Sequence, residues 1–149
     1  MQIGQICTAE TICCALDESV QGAALLMRQH HVGDLVVVDQ PDGAQVPVGI
    51  ITDRDIVISV IALGLDPASL QVGDIMSADL LTTQDSDDVY ETIERMRARG
   101  IRRVPVVNAA GSLKGIVSAD DLLEFLAEEM GELSRISSHQ QAQERRARQ

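Results

Sequence analysis

Two short stretches carry the residues best suited to chemistry. Gly49-Ile50-Ile51-Thr52-Asp53-Arg54-Asp55 is echoed by Gly115-Ile116-Val117-Ser118-Ala119-Asp120-Asp121, so each copy sets an aspartate three residues after a hydroxyl. A carboxylate on the first turn of a helix can accept charge-assisted hydrogen bonds from two neighbouring ligand hydroxyls, and the Thr or Ser beside it suits a phosphate. The same spacing also caps a helix with no ligand, because the hydroxyl and the acid satisfy orphan N–H groups and complement the helix dipole. Both readings stay open from the motif alone. Catalysis asks for a nucleophile beside a base, a metal set or paired carboxylates, and no His/Cys/Asp grouping here has a recognisable spacing. The pattern points to binding and not to an enzyme.

These motifs belong to a longer internal repeat. Gly4-Gln5-Ile6-Cys7-Thr8 matches Gly73-Asp74-Ile75-Met76-Ser77 at an offset of 69 (73 − 4), and Val20, Met27, Val37 and Val38 keep it against Val89, Met96, Val106 and Val107. At Gly49 and Gly115 the offset is 66 (115 − 49), which puts the length difference in Gln40 to Val48 against Ala109 to Lys114.

Within each copy, apolar residues at helical spacing predict a helix: Val20, Ala24 and Met27 in the first, Val89, Ile93 and Met96 in the second. Asp17 or Ser19 can open the first, which runs to His31; Ser86 or Asp87 opens the second and Gly100 closes it. The Val-dense runs Leu35 to Val38 and Val104 to Val107 read as strands buried on both faces. Pro41-Asp42-Gly43 and Ala110-Gly111 then turn the chain into the strands Val48 to Thr52 and Leu113 to Ser118. A second helix follows each hairpin. Asp53 to Leu63 is apolar almost all round, so burial on several sides is expected; the helix from Ala119 keeps a stripe through Leu122, Leu126, Met130 and Leu133. Past Ser134 the chain is polar and either continues that helix or frays.

Composition excludes several classes. A net charge of −11 on 149 residues argues against a nucleic-acid surface, and Arg95, Arg97 and Arg99 read as the solvated face of a helix. The longest apolar stretch, Ile56 to Leu63, is too short to cross a bilayer, so no membrane role and a cytoplasmic location are expected. Cys7, Cys13 and Cys14 read as reduced, partly buried thiols, with a redox responder as the minor alternative. With Tyr90 and Phe125 as the only aromatics, a planar ligand has to be gripped by aliphatic side chains and backbone.

Each unit reads strand, helix, strand, strand, helix, and over residues 1–130 the chain resembles the CBS domain, named after cystathionine β-synthase. The resemblance rests on Ile6-Cys7-Thr8 and Ile75-Met76-Ser77, on Val104-Pro105-Val106-Val107, and on the two Gly-apolar-apolar-hydroxyl-x-x-Asp motifs. It implies an α/β (α+β) fold of two tandem β-α-β-β-α repeats, 1–66 and 67–130, about a pseudo-twofold axis, with a helical extension over 131–149. It also implies two clefts that bind adenosine compounds (AMP, ADP, ATP or S-adenosylmethionine) as regulatory ligands, with no cofactor required. By position, Asp55 and Asp121 bind ribose, with Thr52 and Ser118 on the phosphate side.

The cleft of Ser118 and Asp121 is expected to take its base wall from Thr8, Ala9, Thr11 and Ile12, with Arg102 and Arg103 near the phosphates, making it the preferred site for a charged nucleotide. The other cleft, with Thr52 and Asp55, would use Ala78, Leu80, Leu81 and Thr82; Gly33 and Asp34 stand where the arginines would be, and Arg54 compensates. The function implied is a ligand-sensing module that pairs as a homodimer through its helices and signals to an effector protein. The alternative is a structural module of the same fold without a ligand.

Overall fold

Runs of valine build two separate three-stranded sheets in the computed structural model, which describes residues 1–40 and 43–149; the turn expected at Pro41-Asp42 lies outside the described residues. In the first sheet β1 (Cys13–Ala15) runs parallel to β2 (Asp34–Asp39), which pairs antiparallel with β3 (Val46–Thr52). The second repeats the order with β4 (Thr83–Gln84), β5 (Arg103–Val107) and β6 (Leu113–Ser118). Both central strands are buried through Leu35 to Val38 and through Val104, Val106 and Val107, as their unbroken apolar runs require. Each hairpin shifts register at the equivalent step, between Val37 and Val38 and between Val106 and Val107.

Parallel neighbours need a crossover, supplied by the helices α1 (Val20–His30) and α4 (Val89–Arg99). Ser19 caps α1 by accepting from the Gly22 N–H. The cap of α4 is Asp88, which accepts from Tyr90 and Glu91, and not Ser86 or Asp87. Asp87 is engaged elsewhere: its carboxylate accepts from Arg95 at 2.8 Å and from the Thr83 hydroxyl at 2.9 Å. Arg95 therefore does not belong to a merely solvated face, since it also donates to Thr83 at 2.9 Å.

The helix after β3 departs further from expectation. It begins as α2 (Asp53–Ile56) and continues as a π-helical turn, Val57–Ile61. Ile56 and Val60 enter the core, whereas Val57, Ile58, Ile61 and Leu63 stay about half exposed or more. A helix lying on one face of one sheet has a single side to bury, however apolar its sequence. After a short helix α3 (Val72–Ile75) the second unit follows, ending in α5 (Ala119–Ala147), an unbroken 29-residue helix that takes in the polar tail. Leu122 is buried at its base, while Met130 and Leu133 are exposed. Among the described residues no helix is long and apolar enough to cross a membrane.

Each sheet is completed by a segment that precedes the other unit. Ile3, Ile6 and Cys7 pack into the second core with Val89, Val104 and Val117, and Thr8 exchanges backbone hydrogen bonds of 2.9 and 3.0 Å with Ile116. Reciprocally, Val72, Ile75 and Met76 pack into the first core, and Ser77 exchanges bonds of 3.0 and 3.2 Å with Ile50. The repeated glycines permit the crossings: a Cβ on Gly115 would sit 2.5 Å from the Thr8 carbonyl oxygen, and one on Gly49 2.8 Å from that of Ser77. Such reciprocity is what a twofold relation between the units produces. The units cannot part without opening both cores.

Candidate functional site

The two hydroxyl–carboxylate motifs sit at the ends of β3 and β6, where the chain turns into a helix. In each, a capping box is complete. The Thr52 N–H donates to Asp55 Oδ2 at 2.9 Å and the Asp55 N–H to Thr52 Oγ1 at 3.0 Å; in the second copy the Ser118 N–H donates to Asp121 Oδ2 at 2.7 Å and the Asp121 N–H to Ser118 Oγ at 3.1 Å. Capping, worth about 1 kcal/mol for such a hydroxyl, is thus realised in both copies. Among the described residues the other oxygen, Oδ1, takes no hydrogen bond in either.

Strand sense decides what faces these carboxylates. Because β4 and β5 are parallel, the residues leading into them emerge at the same end of the second sheet, so Leu80 and Leu81 share a wall with Arg102 and Arg103. That end meets the end of β3, forming a cleft of about 290 Å³. Ile50, Leu80, Leu81 and Ile101 supply its aliphatic sides and Thr52 and Asp55 one rim; Arg102 and Arg103 bring positive charge and Asp34 and Asp79 negative, Asp79 being paired with Arg99 at 2.9 Å. This corrects the expected placement: both arginines line the cleft of Thr52 and Asp55, not that of Ser118 and Asp121. Residues before the central strand accompany the base wall of their own unit and face the motif of the other. Arg54 is exposed and absent from the lining, Ala78 is exposed, and Thr82 faces a separate hollow beside Arg95 and Asn108.

The pseudosymmetric counterpart is small. Thr11, Ile12, Val32 and Ile116 occupy the positions of Leu80, Leu81, Ile101 and Ile50, and with Glu10 and Asp34 they line a cleft of about 90 Å³. The Thr11 hydroxyl is buried there and has no hydrogen-bond partner among the described residues. Thr8, through its pairing with Ile116, marks the boundary with a groove of about 490 Å³ that holds Asp121, Glu124, Phe125, Glu128 and Glu129. Ala9 is exposed. Ser118 lines neither hollow, unlike its equivalent Thr52.

Between the two clefts lies an ion pair that single-residue inspection does not reveal. Arg103 Nε stands 2.8 Å from Asp34 Oδ2, and these are equivalent positions of the two units, 69 apart (103 − 34), meeting near the pseudo-twofold. Only 16% of the Asp34 side chain is exposed. Burial pushes its carboxyl above the ordinary value; Arg103 opposes the rise and Asp53 adds to it. Arg102 pairs with Asp120 at 3.2 Å across exposed surface. The structure also brings in Ile50 and Ile101, which the sequence reading left out; strand register alone points to them, through Ile50 beside Val36 and Ile101 ahead of β5. All three cysteines are free thiols whose pKa burial raises, Cys14 to about 11, so none is poised as a thiolate.

Comparison with known proteins identifies the family and the fold. The family model for the CBS domain matches residues 3–61 and 72–128. An uncharacterised protein of Methanopyrus kandleri is 36% identical over 124 residues, 83% of this chain and 62% of that protein, so the chain spans about three fifths of its length. Hypoxic response protein 1 of Mycobacterium tuberculosis is 32% identical over 123 residues, 83% of each chain. Among solved structures, the CBS domain pair of protein MJ0100, in complex with 5′-methylthioadenosine and S-adenosyl-L-methionine, superposes with a TM-score of 0.71 at 26% identity, covering 87% of this chain and 98% of that one.

Proposed function

Since the chain belongs to the CBS domain family as a tandem pair, we propose that it is a regulatory module that binds a phosphorylated adenosine compound in the cleft between Thr52–Asp55 and Leu80–Leu81. One observation carries the reading: an aliphatic slot, a carboxylate with one oxygen outside its cap and two arginines line one cavity. The base lies between Ile50, Leu80, Leu81 and Ile101, which suits a chain almost without aromatics. The ribose hydroxyls donate to Asp55 Oδ1, and the phosphates take Arg102 and Arg103. A volume of about 290 Å³ is at the lower end of the range for ligand sites, so the slot widens around an incoming nucleotide. The MJ0100 pair holds 5′-methylthioadenosine and S-adenosyl-L-methionine, which supports the adenosine part of this class; neither carries a phosphate, so the phosphorylated part rests on Arg102 and Arg103.

Ligand held by both units biases their arrangement, and the state passes to an effector protein or to a second copy. Val57, Ile58 and Ile61 on one helix and Met130, Leu133 and Ile136 on another leave apolar surface for self-association as a homodimer. No catalytic step is assigned to the module.

The completed capping boxes favour a second reading, a scaffold of the same fold in which the aspartates serve only the helices. Thermal unfolding with AMP, ADP, ATP and S-adenosylmethionine separates the two. A saturable rise in Tm that Asp55→Ala abolishes relative to its own ligand-free baseline supports sensing. No rise with any compound supports the scaffold.

A further inference from the structure

Asp34 lines both clefts, and Arg103, which holds it, lines the larger one. The second cleft and the groove beside it contain Glu10, Asp121, Glu124, Glu128 and Glu129, and among the described residues no Arg or Lys side chain lines either. A phosphate in the first cleft therefore competes for the cation that neutralises a mostly buried carboxylate facing the second.

We propose that the Asp34–Arg103 pair couples the clefts: a phosphorylated ligand in the first draws Arg103 off Asp34, and the released carboxylate makes the second cleft a site for a positively charged adenosine-type ligand. This rests on the reading of the first cleft given above.

The physical steps are few. A guanidinium shared between a carboxylate and a polyanion moves toward the polyanion, where bidentate contacts and higher charge favour it. Asp34, 16% exposed, is then a buried charge without a partner, a state that recruits a cation or a proton. Burial pushes its carboxyl upward by more than Arg103 holds it down, so the pair leaves the buried charge incompletely compensated. A cationic ligand spanning the 90 Å³ cleft and the acidic groove answers the vacated charge, its base against Thr11, Ile12 and Ile116. Linkage makes the effect mutual: a cation beside Asp34 loosens Arg103 for phosphate by the same factor.

The test uses ADP as the anionic probe and S-adenosylmethionine as the cationic one, in calorimetric titrations of the full chain. In the wild type, saturating ADP is expected to tighten S-adenosylmethionine binding about fivefold, near the lower end of ordinary coupling. Asp34→Asn keeps the shape and removes the charge, so ADP still binds while the response to ADP disappears. Arg103→Gln, at a half-exposed side chain, frees Asp34 permanently. It is expected to bind S-adenosylmethionine tightly without ADP and to ignore ADP. S-adenosylmethionine binding that ADP leaves unchanged or weakens in the wild type overturns the coupling, as does a response that survives Asp34→Asn. ADP that fails to bind the wild type, or binds Asp55→Ala equally well, instead overturns the first-cleft reading and takes the coupling with it; that outcome is read in the ADP titration alone.

Discussion

Where the first unit places Cys14, Ala23 and Leu26, the second places Thr83, Thr92 and Arg95, each 69 residues on. The first set packs in or against an apolar core. The second forms a hydrogen-bonded chain, Thr92 to Thr83 at 3.2 Å and Arg95 donating to both Thr83 and Asp87, with the Arg95 Nε buried and unpartnered among the described residues. The clefts diverge in the same way, Gly33-Asp34 in one unit against Arg102-Arg103 in the other. What stays repeated is what the backbone path demands: the central valines, the capping boxes and the two crossing glycines. Duplication fixed the frame, and the side chains lining clefts and one core were left to differ.

The largest expected effect breaks the frame itself. Gly115→Ala drives a Cβ against the Thr8 carbonyl oxygen at 2.5 Å, a backbone atom that cannot swing away, and a loss of about 3 kcal/mol in chemical denaturation is expected. Gly49→Ala meets first the Met76 Sδ at 2.6 Å, a flexible side chain, before the Ser77 oxygen at 2.8 Å. Its loss is expected to be smaller, about 1–2 kcal/mol. Equal losses would mean that the two crossings are equally rigid.

Much of this frame is legible in the sequence, because hydrophobic period and turn residues act locally. The central strands, α1, α4 and both motifs follow from spacing. The placement of Arg102 and Arg103 does not, since it depends on which sheet end meets which motif across the pseudo-twofold. The exposure of Val57, Ile58 and Ile61 is illegible for a related reason: apolar content states what a helix could bury, while the number of neighbours states what it does bury. Asp88 displaces Asp87 as a cap because Arg95, about two turns along the helix, claims Asp87 first, a competition that no single position reveals.

Next in size is the inequality of the clefts. Asp55→Ala is expected to lower ADP affinity about tenfold, the worth of one lost charge-assisted contact, while Asp121→Ala changes it less than about twofold. Isothermal titration decides; equal losses would restore two equivalent sites.

Acid sharpens the same comparison through two aspartates displaced in opposite directions. Asp87 is held below the ordinary carboxylate range, first by the Arg95 hydrogen bond and then by the Gln84 N–H. Its contribution is present above the unfolded value, about 4, and is lost as pH falls through the depressed folded one. Asp34 is raised by burial, so its charge opposes folding at neutral pH and protonation relieves it as pH falls through the raised value. Tm against pH should rise modestly on mild acidification and fall below about pH 4. Asp34→Asn removes the first limb, and Asp87→Asn removes the part of the second that Asp87 carries.

The smallest effect lies where α1 and α4 end. His31 closes α1 at φ 54° and Gly100 closes α4 at φ 63°, both left-handed. A Cβ on Gly100 would meet nothing within 4 Å, so any penalty there is backbone strain alone. For a residue bearing Cβ that strain is about 1 kcal/mol, partly offset by the greater freedom glycine loses on folding. His31→Gly is therefore expected to raise stability by about 0.5 kcal/mol, and Gly100→His to lower it by a similar amount, both read in denaturant midpoints. Opposite shifts of similar size would show that the two helix ends differ only in strain. A loss from His31→Gly would instead mean that the exposed imidazole interacts with the negative end of α1, a contact the glycine of the second unit cannot make.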